Sequence, residues 1–250
     1  MNTLLFSIGS VLFVSLLLVL FDKFFTRLHI KISDEVVGIY FNFVGVLFTL
    51  ILAFVVVAAW EDYDNAMHAV ENEAHKLAYI YEDAQELSPV NKKQVQENVL
   101  LYTNSVIKDE WDHMDENHIV KITQGKFQAL MNLKHTLTPQ GGNDDEVLKG
   151  IDDSLDELKV LRHERQSHSE SHVPNLLWMM LLGGFVLCIL MSFLMNFQNL
   201  AWKIVMTSTV TFAMSIVLYL TFCLSNPYKG DMKVSSEDYL KVLELPGELN

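Results

Sequence analysis

Four long apolar runs alternate with polar segments along the chain. They cover residues 3–21, 36–60, 175–195 and 204–224. Each is close to the roughly 20 residues that an α-helix needs to cross the hydrocarbon core of a bilayer. The first run lacks the basic start and the small-residue cleavage site of a secretory signal, so we interpret it as a retained membrane helix. The pattern predicts an all-α membrane protein with four transmembrane helices in two hairpins.

The polar segment between the hairpins predicts a helical bundle. Its apolar residues recur at three- and four-residue spacing, and the pair Ser88-Pro89 and the run 138–143 are typical of helix ends. We expect helices at about 61–87, 90–115, 119–137 and 145–172, the last with an apolar stripe completed by Leu161 or Arg162. The predicted division is a transmembrane hairpin at 1–60, a helical insert at 61–172 that continues the flanking membrane helices, a second hairpin at 173–225 and a C-terminal tail at 226–250.

Charge bears on possible binding partners, and cysteine content bears on possible disulfides. The net charge is −13, and residues 61–172 contain 23 acidic and 11 basic residues, a net charge of −12. Nearly all the excess acidity therefore lies in the insert, and no nucleic-acid partner is expected. Cys188 and Cys223 fall within apolar runs, where cysteine behaves as a small apolar residue and a disulfide framework has no support. The expected surroundings of the four runs are the lipid bilayer.

Basic residues in the short connections indicate an orientation. Three of them, including Lys31, lie in the first turn and Lys203 borders the second, whereas no basic residue follows Trp60 until Lys76. The positive-inside rule therefore places both short turns in the cytoplasm, and the insert and both termini outside it. Basic residues at 162 and 165, and three lysines after the fourth run, oppose this assignment.

The second apolar run passes into a charged helical stretch without a Gly or Pro between them. Ionisable residues then recur at three- and four-residue spacing and share one helix face: Glu61, Asp64, His68, Glu71 and His75. Upstream, a similar spacing aligns small and polar residues: Gly38, Asn42, Gly45, Thr49 and Ala53. One interpretation is close helix packing, which small residues permit. The other is that several copies of this helix surround a pore.

The second interpretation defines two candidate sites. The candidate pore-lining residues, called the pore face, are Asn42, Gly45, Thr49, Ala53 and Trp60. The candidate mouth, called the acidic stripe, comprises Glu61, Asp64, His68 and Glu71. A ring of such carboxylates would concentrate cations at the mouth of the pore.

Metal and catalytic chemistry are not predicted. Glu61, Asp64 and His68 share a face, but the spacing fixes no fourth ligand, so solvated side chains are favoured. His168 and His172 lie at i and i+4 without the glutamate of a zinc-protease helix; a pH-responsive segment and a hydrophilic helix end are the other interpretations. Phosphate-binding glycine loops and nucleophile elbows are missing from the sequence. We therefore predict no cofactor and no enzyme.

Three stretches resemble the bacterial bestrophin-like family, a domain family of unknown function. They are residues 45–84, VIKDEW at 106–111 and SNPYKGDMKVSSEDY at 225–239, and the resemblance covers nearly the whole chain. The family name rests on a likeness to bestrophin anion channels, in which a second membrane helix lines the pore of a pentamer and enters a cytosolic helical domain. By that likeness, residues 41–60 form a neck in a bacterial cytoplasmic membrane, with Trp60, Glu61 and Tyr63 where the helix leaves the bilayer. The acidic exit departs from this pattern by favouring cations, and the basic first turn by favouring the opposite orientation.

The favoured hypothesis is a homo-oligomeric channel or channel-like protein. Its second helices would line an axial path for inorganic ions, with cations favoured. The alternative is a non-conducting, membrane-anchored sensing or interaction protein that works through the insert.

Overall fold

The computed structural model describes residues 2–28, 33–116, 121–141, 144–170, 173–195, 197 and 199–248. Those ranges contain helices and loops and no strand. Within them, four helices are long and apolar enough to cross a membrane. The predicted all-α membrane fold is confirmed.

The helices follow the predicted order with different bounds. The α-helices are α1 (Asn2–Leu28), α2 (Asp34–Asp83), α3 (Pro89–Ser105), α4 (Lys121–Met131), α5 (Leu133–Thr136), α6 (Asp144–Glu170), α7 (Asn175–Leu194), α8 (Leu200–Leu224) and α9 (Glu237–Glu248). Short 3₁₀ turns lie at Ala84–Glu86, Trp111–Glu116 and Gly230–Met232, and a π-helical turn lies at Val106–Glu110. The single helix predicted at about 90–115 is therefore α3 followed by a wider π-helical turn and a tighter 3₁₀ turn.

The two ends of the insert are connected differently to the membrane helices. α2 is one helix of 50 residues that contains both the second span and the first insert helix. α6, in contrast, ends at Glu170 and α7 begins at Asn175, with Val173 and Pro174 non-helical between them. Proline lacks an N–H and disfavours helical dihedrals in the preceding residue, so it ends one helix and caps the next. The continuation predicted for the last insert helix is therefore interrupted.

The chain divides into two compact units. The membrane unit comprises Met1–Glu61 and His172–Ser225, and the insert unit comprises Asp62–Ser171 and Asn226–Asn250. The C-terminal segment thus belongs to the insert unit. Trp111 of the insert contacts this segment: the centroid of its ring lies 6.0 Å from that of Tyr228 and 5.7 Å from that of Tyr239.

In the membrane unit, α1 and α8 meet along a row of hydroxyl groups. Two pairs join them: Ser10 Oγ with Ser215 Oγ at 2.7 Å, and Ser15 Oγ with Ser208 Oγ at 3.1 Å. Towards the start of α8, Lys203 Nζ donates to Asp22 Oδ1 at 2.9 Å. Polar groups in hydrocarbon need partners within the protein, so this row fixes the pairing of the first and fourth membrane helices.

A glycine of α7 packs against an aromatic ring of α2 in the same unit. Gly184 of α7 faces the Phe48 ring of α2, and a Cβ at residue 184 would overlap that ring. The neighbouring Gly183 has open space at the same position. Gly184 therefore permits a helix contact that any larger residue would obstruct.

Candidate functional site

The pore face lies on the side of α2 that its own chain leaves uncovered. Buried residues of the membrane part of α2 recur at Phe48, Leu52, Val55 and Ala59. The pore face occupies other positions: Asn42, Thr49, Ala53 and Trp60 are exposed, and Gly45 is half-buried. The membrane part of α2 thus has an apolar seam that packs within its own unit. It also has a second face of small and polar residues, which a single chain does not cover.

Four of the five pore-face residues line one groove. The groove has a volume of about 680 Å³ and joins Asn42, Gly45, Thr49 and Ala53 of α2 to Val210 and Met214 of α8. Trp60 is not among its lining residues, and its side chain is 55% exposed. The groove gives the pore face a concave shape, with the amide of Asn42 and the hydroxyl of Thr49 as its polar groups.

The acidic stripe is a set of linked, solvated side chains. His68 Nδ1 lies 3.2 Å from Glu71 Oε2, and its Nε2 lies 3.6 Å from Asp64 Oδ2. The His68 side chain is 56% exposed and both carboxylates are 43% exposed. Glu61 is also exposed. Residues 64, 68 and 71 therefore present charge and hydrogen-bonding groups to water along one face of the insert part of α2.

No metal centre is evident in the described part of the chain, where no three His, Cys, Asp or Glu side chains are grouped to hold an ion. His172, one of the two residues of the predicted histidine pair, lies outside the described residues, as does Lys31 of the first turn. Cys188 and Cys223 are buried and do not form a disulfide.

A buried charge cluster in the insert unit was not anticipated from the sequence. It consists of Glu73, Glu110, Arg162 and Arg165, whose side chains are at most 4% exposed. Arg165 Nε donates to Glu73 Oε2 at 2.6 Å, and its Nη2 donates to Glu110 Oε1 at 3.0 Å. Arg162 Nη2 lies 3.7 Å from the other oxygen of Glu110, and the Arg162 guanidinium lies 4.3 Å from the Phe127 ring centroid. Two carboxylates and two guanidinium groups thus balance in charge.

Local structure explains how the chain brings Glu110 inward. The π-helical turn Val106–Glu110 follows α3 directly, and an extra residue in a turn rotates the residues after it. Such turns are frequent at functional positions. Glu73 and Arg162 are buried for a different reason, because each occupies a position on the apolar stripe of its own helix. Charged residues at stripe positions were the sequence signal for this cluster, and of the two candidates for the α6 stripe Arg162 is the buried residue.

Burial and neighbouring charges shift the pKa values of two groups here, Tyr102 and Arg165. Burial, together with the Glu73 carboxylate, raises the pKa of the Tyr102 phenol well above its ordinary value. Tyr102 therefore remains a donor and its OH donates to Glu73 Oε1 at 2.5 Å. Burial alone would lower the pKa of Arg165, but the Glu73 carboxylate and other neighbours raise it well above its ordinary value. The guanidinium stays charged.

These features define a polytopic α-helical membrane protein with a buried charge cluster in a helical insert. The family model of the bestrophin-like domain matches residues 8–239, so the chain belongs to the bestrophin-like family. No curated protein gives a significant match.

Solved structures of bacterial bestrophin homologs share the fold. One variant of a homolog from Klebsiella pneumoniae aligns with a TM-score of 0.73 at 12% identity, over 97% of each chain. A second variant from Klebsiella pneumoniae aligns with a TM-score of 0.67 at 15% identity, over 98% of each chain. A structure described only as a membrane protein variant gives 0.69 at 14% identity, over 98% of this chain and 96% of that one.

Proposed function

We propose that the protein is the protomer of a homo-oligomeric membrane channel whose α2 helices surround an axial path that favours cations. The observation that carries this proposal is the uncovered second face of α2. In its apolar part this face presents Asn42 and Thr49, and in its insert part it presents the acidic stripe.

Hydrocarbon is an unfavourable environment for the pore face. An exposed amide and an exposed hydroxyl in a membrane span need partners, because the bilayer core offers none. Copies of α2 around a water-filled axis would supply water to Asn42 and Thr49 and would let the small Gly45 and Ala53 approach a neighbouring helix. Membership of the bestrophin-like family supports this arrangement.

Electrostatics give the proposed path its preference for cations over anions. Repeated around an axis, Glu61, Asp64 and Glu71 would sum to a negative potential at the mouth, which raises the local concentration of cations. The Debye length is about 30 Å at 0.01 M salt and about 3 Å at 1 M, so the effect should be large at low salt and small at high salt.

The first prediction tests the acidic stripe. In reconstituted bilayers at low salt, Glu61→Gln with Asp64→Asn should lower cation over anion permeability several-fold, seen as a shift of the reversal potential towards zero. The shift should disappear at 1 M salt because the charges are then screened. Asp153→Asn with Glu164→Gln is the matched control, since both residues are exposed on α6 and the charge change is the same. An unchanged reversal potential in a conducting, intact oligomer of the first variant would contradict the proposed path.

A second function is supported by a groove on the insert unit. It has a volume of about 1050 Å³ and is lined by one face of α3, including Lys92, Gln96 and Leu100, and by Leu243 of α9. A non-conducting interaction protein would use such a surface. Absence of conductance in the wild type under all tested ions would favour this alternative. The side of the membrane on which the insert lies, and the domain boundaries given above, stay predictions.

A further inference from the structure

The charge cluster links α2 to α6 through Arg165. The guanidinium holds one oxygen of Glu73 at 2.6 Å and one oxygen of Glu110 at 3.0 Å, and Tyr102 holds the second oxygen of Glu73. Arg165 Nη1 also lies 2.9 Å from Met114 Sδ. Both oxygens of Glu73 therefore have a donor, and all three nitrogens of Arg165 are engaged.

Stability alone does not account for such an arrangement. Removing charges from water costs about as much as their pairing returns, and apolar replacement of a whole buried ion network is often neutral or stabilising. An ion network instead restricts the relative orientation of the helices that carry it, because charge-assisted hydrogen bonds need fixed distances and angles. Removing only one partner is strongly destabilising, since it leaves an uncompensated charge in the core.

Apolar side chains also hold the buried face of the insert part of α2. Val70 is small, whereas Leu77 and Ile80, one and two turns beyond Glu73, are large and fully buried. Apolar packing is non-directional. Glu73 differs, because turning α2 would separate its carboxylate from Arg165 inside the core. The ion pair therefore selects one rotation of α2 relative to α6.

Rotation of α2 determines where the acidic stripe points. At about 100° per residue, Asp64, His68 and Glu71 lie roughly 140° to 200° around the helix from Glu73. With Glu73 held inward, these three side chains are directed away from the insert core, in agreement with their exposure of 43% to 56%.

We propose that Arg165 is a positioning residue: by holding Glu73 in the insert core, it fixes the rotation of α2 and so directs the acidic stripe towards the axial path. The inference rests on the proposed channel function for the path itself. The rotation of α2 is measurable without any conduction.

The experiment removes the directional contacts of Glu73 and puts apolar side chains in their place. The test variant is the full chain with Glu73→Leu, Tyr102→Phe and Arg165→Met, which leaves Glu110 paired with Arg162. The control variant is Glu110→Leu with Arg162→Met, which removes the other charge pair of the cluster in a balanced way and keeps the contacts of Glu73 with Arg165 and Tyr102. Single cysteines at Ala66→Cys and at His68→Cys report the buried and the exposed face of α2, with Cys188→Ala and Cys223→Ala removing the native thiols.

The readout is the ratio of the two modification rates with a water-soluble maleimide. In the native background and in the control, the residue-68 thiol should react much faster than the residue-66 thiol. In the test variant this ratio should fall by about an order of magnitude, since the helix no longer holds one rotation and the buried face opens more often. The cation preference of a conducting sample should fall with it.

An unchanged ratio in a folded test variant would overturn the proposal. If that variant does not fold, Arg165→Lys decides in its place, because it keeps the charge but loses the planar fork that contacts Glu73 and Glu110 together. A ratio equal to that of the native background in Arg165→Lys would then overturn the proposal, and a reduced ratio would support it. A wild type without conductance would reject the channel, whereas the maleimide ratio would still decide the role of Arg165.

Discussion

Single side chains hold together parts of the insert that are distant in sequence. Asp144, at the start of α6, accepts hydrogen bonds from the backbone N–H groups of Ser88 and Gln140, both at 2.9 Å, and from Asn91 Nδ2 at 3.1 Å. The backbone N–H of Gln140, followed by that of Ser88, lowers the pKa of the Asp144 carboxyl below its ordinary value. One carboxylate thus ties the start of α3 to the loop before α6.

The pH dependence of this contact has a definite sign. A carboxyl whose pKa is lowered by folding stabilises the fold above its unfolded pKa, which is about 3.9 for aspartate. That contribution is lost as the pH falls through the lowered pKa of the folded state.

We therefore predict that Asp144→Asn lowers the thermal unfolding midpoint at pH 7 by about 2–4 °C, the shift that a modest destabilisation gives in a chain of this size. The difference from wild type should shrink as the pH falls below 4. Intrinsic tryptophan fluorescence during heating measures the midpoint. Asp145→Asn is the control, because that neighbouring carboxylate is exposed and should leave the midpoint unchanged at every pH.

Sequence reasoning at this scale succeeds for local patterns and fails for distant pairs. The alignment of Asn42, Thr49 and Ala53 follows from helical spacing alone, and the structure places them in one groove. The contact between Glu73 and Arg165 spans 92 positions, and no periodicity contains it. A carboxylate at a stripe position suggests that a buried partner exists, but only the fold shows which residue it is.

The helices themselves were predictable where hydropathy marks them. All four spans have a matching apolar run, because lipid-length helices cannot be built from a mixed sequence. The breaks in the insert were harder to see. VIKDEWDHM has the composition of a helix, and the π and 3₁₀ turns at 106–116 change the hydrogen-bond spacing without changing the residue types. Pro174 is the sequence signal for the boundary between α6 and α7, and it outweighs the helical pattern on both sides.

Contact between membrane helices gives a prediction at the scale of the element. Gly184→Ala should destabilise the membrane unit by about 1–3 kcal/mol, the usual cost of overpacking a filled core, because the new Cβ overlaps the buried Phe48 ring. Thermal unfolding in detergent measures the loss, and Gly183→Ala should have little effect because its Cβ would meet open space. Adding Phe48→Leu should restore part of the stability in the Gly184 variant. A Gly184→Ala protein as stable as its neighbour variant would contradict the contact.

At the scale of the whole molecule, the pore face predicts self-association. A span with an exposed Asn42 and Thr49 has polar groups that its own chain leaves uncovered. We expect the detergent-solubilised protein to have a mass that is a multiple of the chain mass, and light scattering corrected for bound detergent measures it. A monomer at all protein concentrations would contradict both the oligomer and the axial path.

The hydroxyl row between α1 and α8 also sets an order of events during synthesis. Its two serine pairs join residues 193 and 205 positions apart. At about 5–20 residues per second, a ribosome needs roughly 10–40 s to add that length of chain. For that time Ser10 has a hydrogen-bond partner in its own helix, the Ser7 carbonyl, but neither Ser10 nor Ser15 has its partner hydroxyl on α8. α1 can contact α7 earlier through Phe21 and Phe193, so insertion of the fourth span completes the polar contacts of a membrane unit whose apolar contacts can already have begun to form.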